Sequence, residues 1–336
     1  MRIRWILTTS AAAVVGVALV GQSPRHLNPM IDLLAAGKPV VGLYAPSNRR
    51  PPVRPGAPST PVPPPRTPAQ LATDAMGQPG SDYIFDGGME NDFDLGYPAF
   101  AEFVAGLKSG GLLTTTPLKR LRFPLVVKTP EIAPDPALAR TRISRQLNLG
   151  VSTIVFVGAE SAAEVREGLA MMRFPTHGGT RPNEVGTAPA LWGMGEAEYR
   201  DKADLWPLNP RGELVNWTIV ETKAGLAKVR EIAAVPGISV LFPGAGTLRQ
   251  VFSTTDAAGK RVVDEVAWEA AIQDVLAACK EFKVACGYPA GLDDIERRMQ
   301  QGFSVFVIGW GENGFKTVDL GRKVAGRPAT NAEEWR

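Results

Sequence analysis

The stretch that decides the fold is "VETKAGLAKVREIAAVPGISVLFPGAGTLRQ", residues 220 to 250. Glu221 closes one apolar run, "TIVE" (218–221), and a second run, "SVLF" (239–242), leads into "FPGAGTLR". Between them, Leu226–Ala233 reads as an amphipathic helix. Strand, helix, strand in about thirty residues is a parallel crossover unit. In an α/β barrel, two such strand ends are where a metal-binding pair of carboxylates would sit.

Working outward, the same alternation continues in both directions. Upstream runs are "VVGLY" (40–44), "YIF" (83–85), "LVVK" (125–128) and "TIVF" (153–156); downstream runs are "VAC" (284–286) and "SVFVI" (304–308). Helix-like stretches lie between them at 98–109, 136–147, 161–171, 265–282 and 292–301. Pro98 and Pro136 are placed where a first helical turn tolerates proline. Ser161, three residues before Glu164, reads as a capping box. Eight strands alternating with helices predict a (β/α)8 barrel. An open doubly wound sheet would want a glycine-rich phosphate loop after the first strand, and "LYAPSNRRPP" is not one.

Composition agrees with a globular enzyme-sized chain of 336 residues, 44% hydrophobic and 21% charged. A net charge of +3, with no basic stripe interleaved with aromatics, argues against nucleic acid as a partner. The expected domain plan has two parts. Residues 1–22 have two arginines followed by an uncharged run from Trp5 to Gln22, the layout of an export signal or an N-terminal anchor. Residues 23–336 form the single barrel domain, interrupted at 46–68 by the proline-rich "PSNRRPPVRPGAPSTPVPPPRTP". The expected location is the periplasm, with the membrane involved only through the N-terminal segment. The two cysteines, Cys279 and Cys286, read as buried thiols rather than as a disulfide.

Strand ends in a barrel line the active site. Collecting them here gives Asp86, Glu90, Lys128, Glu221 and the "GAGTLR" loop. Singly, each has an ordinary reading: a turn aspartate, a surface lysine, an acid favoured at a helix start. Together they describe a polar pocket.

These segments resemble the HpcH/HpaI aldolase/citrate lyase family, metal-dependent aldolases that act on 2-oxo acids. "DYIFDGGMENDFDLGYPAFAEFV" (82–104) is similar to the family's Asp-x-Glu-His strand end. "MMRFPTHGGTRP" (171–182) is similar to its Tyr-Pro-Pro-x-Gly-x-Arg-Gly segment, and "TIVETKAGLAKVREIAAVPGISVLFPGAGTLR" (218–249) to its metal-binding unit. The resemblance runs from about Leu27 to Ile308. It implies a carbon–carbon lyase acting on 2-oxo or hydroxy-oxo acids through an enolate stabilised by Mg2+ or Mn2+, assembled as a trimer or hexamer.

Carried over position by position, Glu221 matches the metal glutamate, and Thr247 stands where the metal aspartate belongs. Lys128 takes the arginine position, and Asn91 falls near the histidine position. Proton transfer then falls to a metal-bound water or to Glu90. The metal is held by Glu221 with help from Asp86, Glu90 or water, unless the site is metal-free, and Gly244, Ala245 and Thr247 are left for substrate contacts. Arg181 reads either as an anion contact or as a subunit-packing arginine. A Schiff base from Lys128 is chemically possible, though the resemblance argues against it. With Thr247 and Asn91 departing from the pattern, a non-catalytic exported binder of small acids is the alternative.

Overall fold

The computed structural model describes residues 25–48 and 64–335. Its strands are β1 (Val40–Tyr44), β2 (Ile84–Asp86), β3 (Leu113–Thr114), β4 (Arg120–Leu121), β5 (Leu125–Lys128) and β6 (Thr153–Phe156). They continue as β7 (Val215–Val220), β8 (Val240–Pro243), β9 (Ser253–Thr255), β10 (Arg261–Val263), β11 (Ala285–Ala290) and β12 (Val305–Ile308). Eight of them close into one barrel in the order β1-β12-β11-β8-β7-β6-β5-β2, every pair parallel. The expected (β/α)8 fold is what forms. The pairs β3–β4 and β9–β10 are small antiparallel ribbons outside it.

Strand phase divides the side chains. On β7, Val215, Trp217 and Ile219 point into the barrel, where they meet Val126, Val155, Val240, Phe242, Val305 and Val307. The intervening residues face the helices. The helix Pro29–Ala35 plugs the N-terminal end with fully buried Met30 and Ile31; Asn28 starts it by accepting from the Met30 amide at 3.2 Å. Tyr83 crosses the interior edge-on to Trp217 at 5.2 Å and donates its hydroxyl to the Phe306 carbonyl. Gly287 is demanded by packing, because a Cβ there would sit 1.9 Å from the Phe242 ring.

Several local expectations change. The helix expected from Pro98 begins at Phe93, because Asp92 caps it by accepting from the Leu95 amide at 3.0 Å. Pro98 therefore falls in the second turn. Ser161 does cap its helix at Glu164, but the Glu164 carboxylate takes the Glu160 amide instead of returning to Ser161. β11 extends through Pro289, where proline costs nothing because β11 has already stopped bonding to β8 and pairs only with β12.

Cys279 and Cys286 are joined in a disulfide, contrary to the two-thiol reading. Lys283, in the left-handed conformation, ends the helix Glu265–Phe282 and turns the chain straight back into β11. That brings the two Cα atoms to 5.6 Å, within bonding reach. Trp192 and Tyr199 are fully buried and meet edge-on at 4.9 Å, serving the core. The leader, 1–22, and the middle of the proline-rich insertion, 49–63, lie outside the described residues; the insertion's base is pinned where Asn48 and the Arg66 backbone exchange two hydrogen bonds of 2.8 and 2.9 Å. Among the described residues no helix is long and apolar enough to cross a membrane.

Candidate active site

The C-terminal mouth of the barrel holds a cavity of about 220 Å³. Its walls are apolar: Phe85, Val155, Trp217, Ile219, Phe242, Pro289 and Val307. Trp217 and Phe242 stack nearly parallel at 6.1 Å, and Tyr44 meets Phe85 edge-on at 4.7 Å. The polar groups at its rim are few: Tyr44, Lys128, Glu221 and Thr247. Strand phase puts them there. Lys128 follows Val126 by two residues on β5, and Glu221 follows Trp217 and Ile219 at the same spacing past the end of β7.

Glu221 is 8% exposed. It does not cap the helix Lys223–Ala227, which Thr222 starts; its Oε1 instead accepts the Gly158 amide at 3.0 Å from the neighbouring β6 end. Gly244 makes room for it, since a Cβ there would fall 2.4 Å from the Glu221 Cβ and 2.5 Å from its Oε2. Gly244, Ala245 and Thr247 line the cavity beside Glu221, as expected, with Thr247 in the first turn of the short helix Ala245–Val251.

Lys128 is the only basic side chain on the cavity wall among the described residues. Its Nζ donates to both oxygens of Glu90, at 2.8 and 3.0 Å. Burial raises the Tyr44 phenol above its usual range; Lys128 nearby pulls it down, while Glu90 and Asp86 push it up. The hydroxyl therefore stays protonated at neutral pH. The Trp217 indole N–H, at the cavity floor, finds no acceptor among the described residues.

Two expected site residues are elsewhere. Asn91 is exposed and lies with Asp86 and Gly88 in an adjoining groove beside the helix Phe93–Ser109. Arg181 is fully buried behind the barrel wall. It donates to Asn148 and Tyr199, at 3.0 Å each, and its guanidinium lies 4.3 Å from the Phe174 ring centre. It does not reach the cavity. The sequence reading in turn missed Tyr44, Phe85 and Phe242. Their signal was available in principle, because each keeps the inward phase of its strand.

The cation implied by the resemblance can be tested on the donors present. A hard dication such as Mg2+ keeps several waters and is held by one or two carboxylates together with substrate oxygens. The cavity supplies one carboxylate, half engaged with the Gly158 amide, and one neutral threonine hydroxyl. Among the described residues no group of three or more His, Cys, Asp or Glu could hold an ion. This donor set is one carboxylate short of the pair that the resemblance implies.

Comparison with known proteins bears on the chemistry. The family pattern of HpcH/HpaI aldolase/citrate lyase matches residues 119–316. The 2-dehydro-3,6-dideoxy-6-sulfogluconate aldolase of Pseudomonas putida is 26% identical over 182 residues, 52% of this chain and 62% of that enzyme. A hydroxypyruvate/pyruvate aldolase of Delftia acidovorans is 30% identical over 156 residues, 46% of this chain and 53% of that enzyme. In each case the match spans less than two thirds of the relative. Among solved structures, an HpcH/HpaI aldolase/citrate lyase family protein from Burkholderia cenocepacia superposes with a TM-score of 0.61 at 20% identity, covering 89% of this chain and 97% of that one.

Proposed function

Because the chain belongs to the HpcH/HpaI aldolase/citrate lyase family, we propose that it is a carbon–carbon lyase cleaving a small hydroxy-2-oxo acid at the barrel mouth. The observation that carries this reading is the convergence of Lys128 and Glu221 on one apolar cavity. Retro-aldol cleavage needs a base for the substrate hydroxyl proton and an electron sink at the 2-oxo carbon. Glu221, the carboxylate of this cavity, which makes no ion pair among the described residues, supplies the base. Lys128 sits where the sink must be. The Thr247 hydroxyl and the Gly244–Ala245 edge contact the substrate carboxylate. Aromatic walls keep bulk water from the carbanion equivalent.

The relatives' names support aldol chemistry, and the non-catalytic binder draws no support from them. Export is part of the proposal: the leader layout and the Cys279–Cys286 bridge both suit an oxidising compartment. Assembly as a trimer or hexamer rests on the resemblance and is checked by light scattering.

The test is oxo-acid release from a panel of 4-hydroxy-2-oxo acids, with and without chelator. Wild type releases pyruvate or a homologue, and Glu221→Gln lowers the rate about 100-fold or more. A folded wild type that cleaves no member of the panel, with or without added Mg2+ or Mn2+, refutes the lyase reading.

A further inference from the structure

A hydroxy-oxo acid that loses its aldehyde leaves an enolate, and the enolate carbon needs a proton before the oxo acid can depart. The polar side chains on the cavity wall are Tyr44, Lys128, Glu221 and Thr247. Both Glu90 oxygens hold the Lys128 ammonium in its charged form. Glu221, with one oxygen on the Gly158 amide, serves the substrate hydroxyl. The Thr247 hydroxyl is an aliphatic alcohol, too weak an acid to release a proton near neutral pH. Asn91, near the position where the resemblance puts a histidine, is an amide in the adjoining groove. Tyr44 has what these lack. It ends β1 in the inward phase, and Phe85 meets its ring edge-on at 4.7 Å. Among the described residues no hydrogen bond engages its hydroxyl. Tyr44 is 38% exposed, whereas Phe85, Trp217 and Phe242 are at most 5% exposed, so the phenol stands between the apolar cavity and bulk water. Lys128 is its neighbour: a Cβ on Gly87 would lie 3.8 Å from the Tyr44 ring and 3.6 Å from the Lys128 Cδ.

We propose that Tyr44 is the proton donor of this site: its phenol protonates carbon 3 of the oxo-acid enolate and is reloaded by water at the barrel mouth. The inference rests on the proposed oxo-acid chemistry and names the residue that completes the turnover. In this step the Tyr44 O–H bond breaks and its proton joins carbon 3. The C2–C3 double bond supplies the electron pair for the new C–H bond, and a lone pair on the enolate oxygen restores the carbonyl. The negative charge thereby moves from the enolate oxygen to the phenol oxygen. There the Lys128 charge favours it, while Glu90 and Asp86 oppose it. Water then returns a proton to the phenolate. Glu221 gives the proton it took from the substrate hydroxyl back to water, so the cycle closes with no net change of charge. Because burial keeps the phenol protonated between turnovers, the donor is loaded when each enolate forms. Run backward, the same path takes a proton from the methyl group of pyruvate.

The experiment uses the full chain with pyruvate alone in deuterated water, with added Mg2+ or Mn2+, and follows the methyl protons by NMR. Wild type should exchange them for deuterium well above the rate of the same solution without protein. Tyr44→Phe keeps the ring and its Phe85 contact, so it should unfold at the wild-type urea midpoint. It should exchange about 100-fold more slowly or worse. Pyruvate binding, read from tryptophan fluorescence through Trp217 in the cavity, should stay close to wild type. No exchange in wild type overturns the proposal, as does exchange at the wild-type rate in Tyr44→Phe. A loss of exchange matched by an equal loss of pyruvate binding also overturns it, because Tyr44 would then be a binding contact. The two readings fail separately. Exchange that depends on Tyr44 without cleavage of any hydroxy-oxo acid keeps the donor and removes the lyase. Cleavage by wild type with exchange unchanged in Tyr44→Phe keeps the lyase and removes the donor.

Discussion

At the scale of single residues, function here depends on what each strand end leaves room for. Glu221 reaches the Gly158 amide only because position 244 has no side chain. Gly244→Ala should therefore cost about 1–3 kcal/mol in urea unfolding through overpacking, and should displace the carboxylate. Lyase turnover should fall further than stability alone explains; an alanine variant with wild-type turnover would show that the Glu221 position is not critical. Lys128 shows the opposite logic. Arginine would keep the charge, but its planar fork would not reproduce the point charge that both Glu90 oxygens hold. Glu221 was legible in the sequence because an acid ends an apolar run. Arg181 misled because a glycine-rich loop does not reveal which side of the barrel wall it faces.

At the scale of elements, strands were easier to read than their connections. Each barrel strand is a short β-branched or aromatic run, and the closed sheet confirms all eight with ends shifted by a few residues. Helix starts were less legible, since a proline is a visible marker and a capping aspartate such as Asp92 is not. The disulfide belongs at this scale too. It ties the helix Glu265–Phe282 to β11 across a sequence separation of seven. By loop entropy the bridge contributes about 2 kcal/mol, so Cys279→Ser with Cys286→Ser should lower the urea midpoint accordingly. Equal midpoints with and without reductant would show that the bridge adds nothing. The spacing of the cysteines could not reveal it, because the left-handed turn at Lys283 is what brings them together.

At the scale of the whole molecule, a buried network of charges ties down the end of the barrel opposite the cavity. Arg327 bonds Asp82 at 2.6 and 2.7 Å and also Glu334, while Arg322 bonds Asp82 and Asn331, tying the C-terminal segment to the start of β2. Burial alone would raise the Glu334 carboxyl, but Arg327, Arg322 and Lys38 hold it below its usual range. Arg298 is the largest influence on Glu269 and lowers it, and Asp204 is lowered by Arg173 and neighbouring amides despite burial. Carboxyls depressed in the folded state contribute stability above about pH 4.3 and lose it as pH falls through their folded values. Glu164, raised by burial, works in the other direction but is one against three. Urea midpoints should therefore hold from pH 7 to 5 and drop steeply toward pH 3, and Glu334→Gln should flatten that drop. A midpoint that stays constant to pH 3 would show that these pairs do not govern acid stability.

The alternation of apolar runs was enough by itself to determine an eight-stranded barrel and the strand ends that face the mouth, because period-two phase and crossover spacing are local properties of the chain; the family came from the resemblance of particular motifs. Only the closed structure decided which polar groups share a cavity, that Lys128 is neutralised by Glu90, that Arg181 is walled off and that the cysteines meet. Those facts depend on distances between residues far apart in sequence, and the chain encodes them only through the way all the strands pack at once.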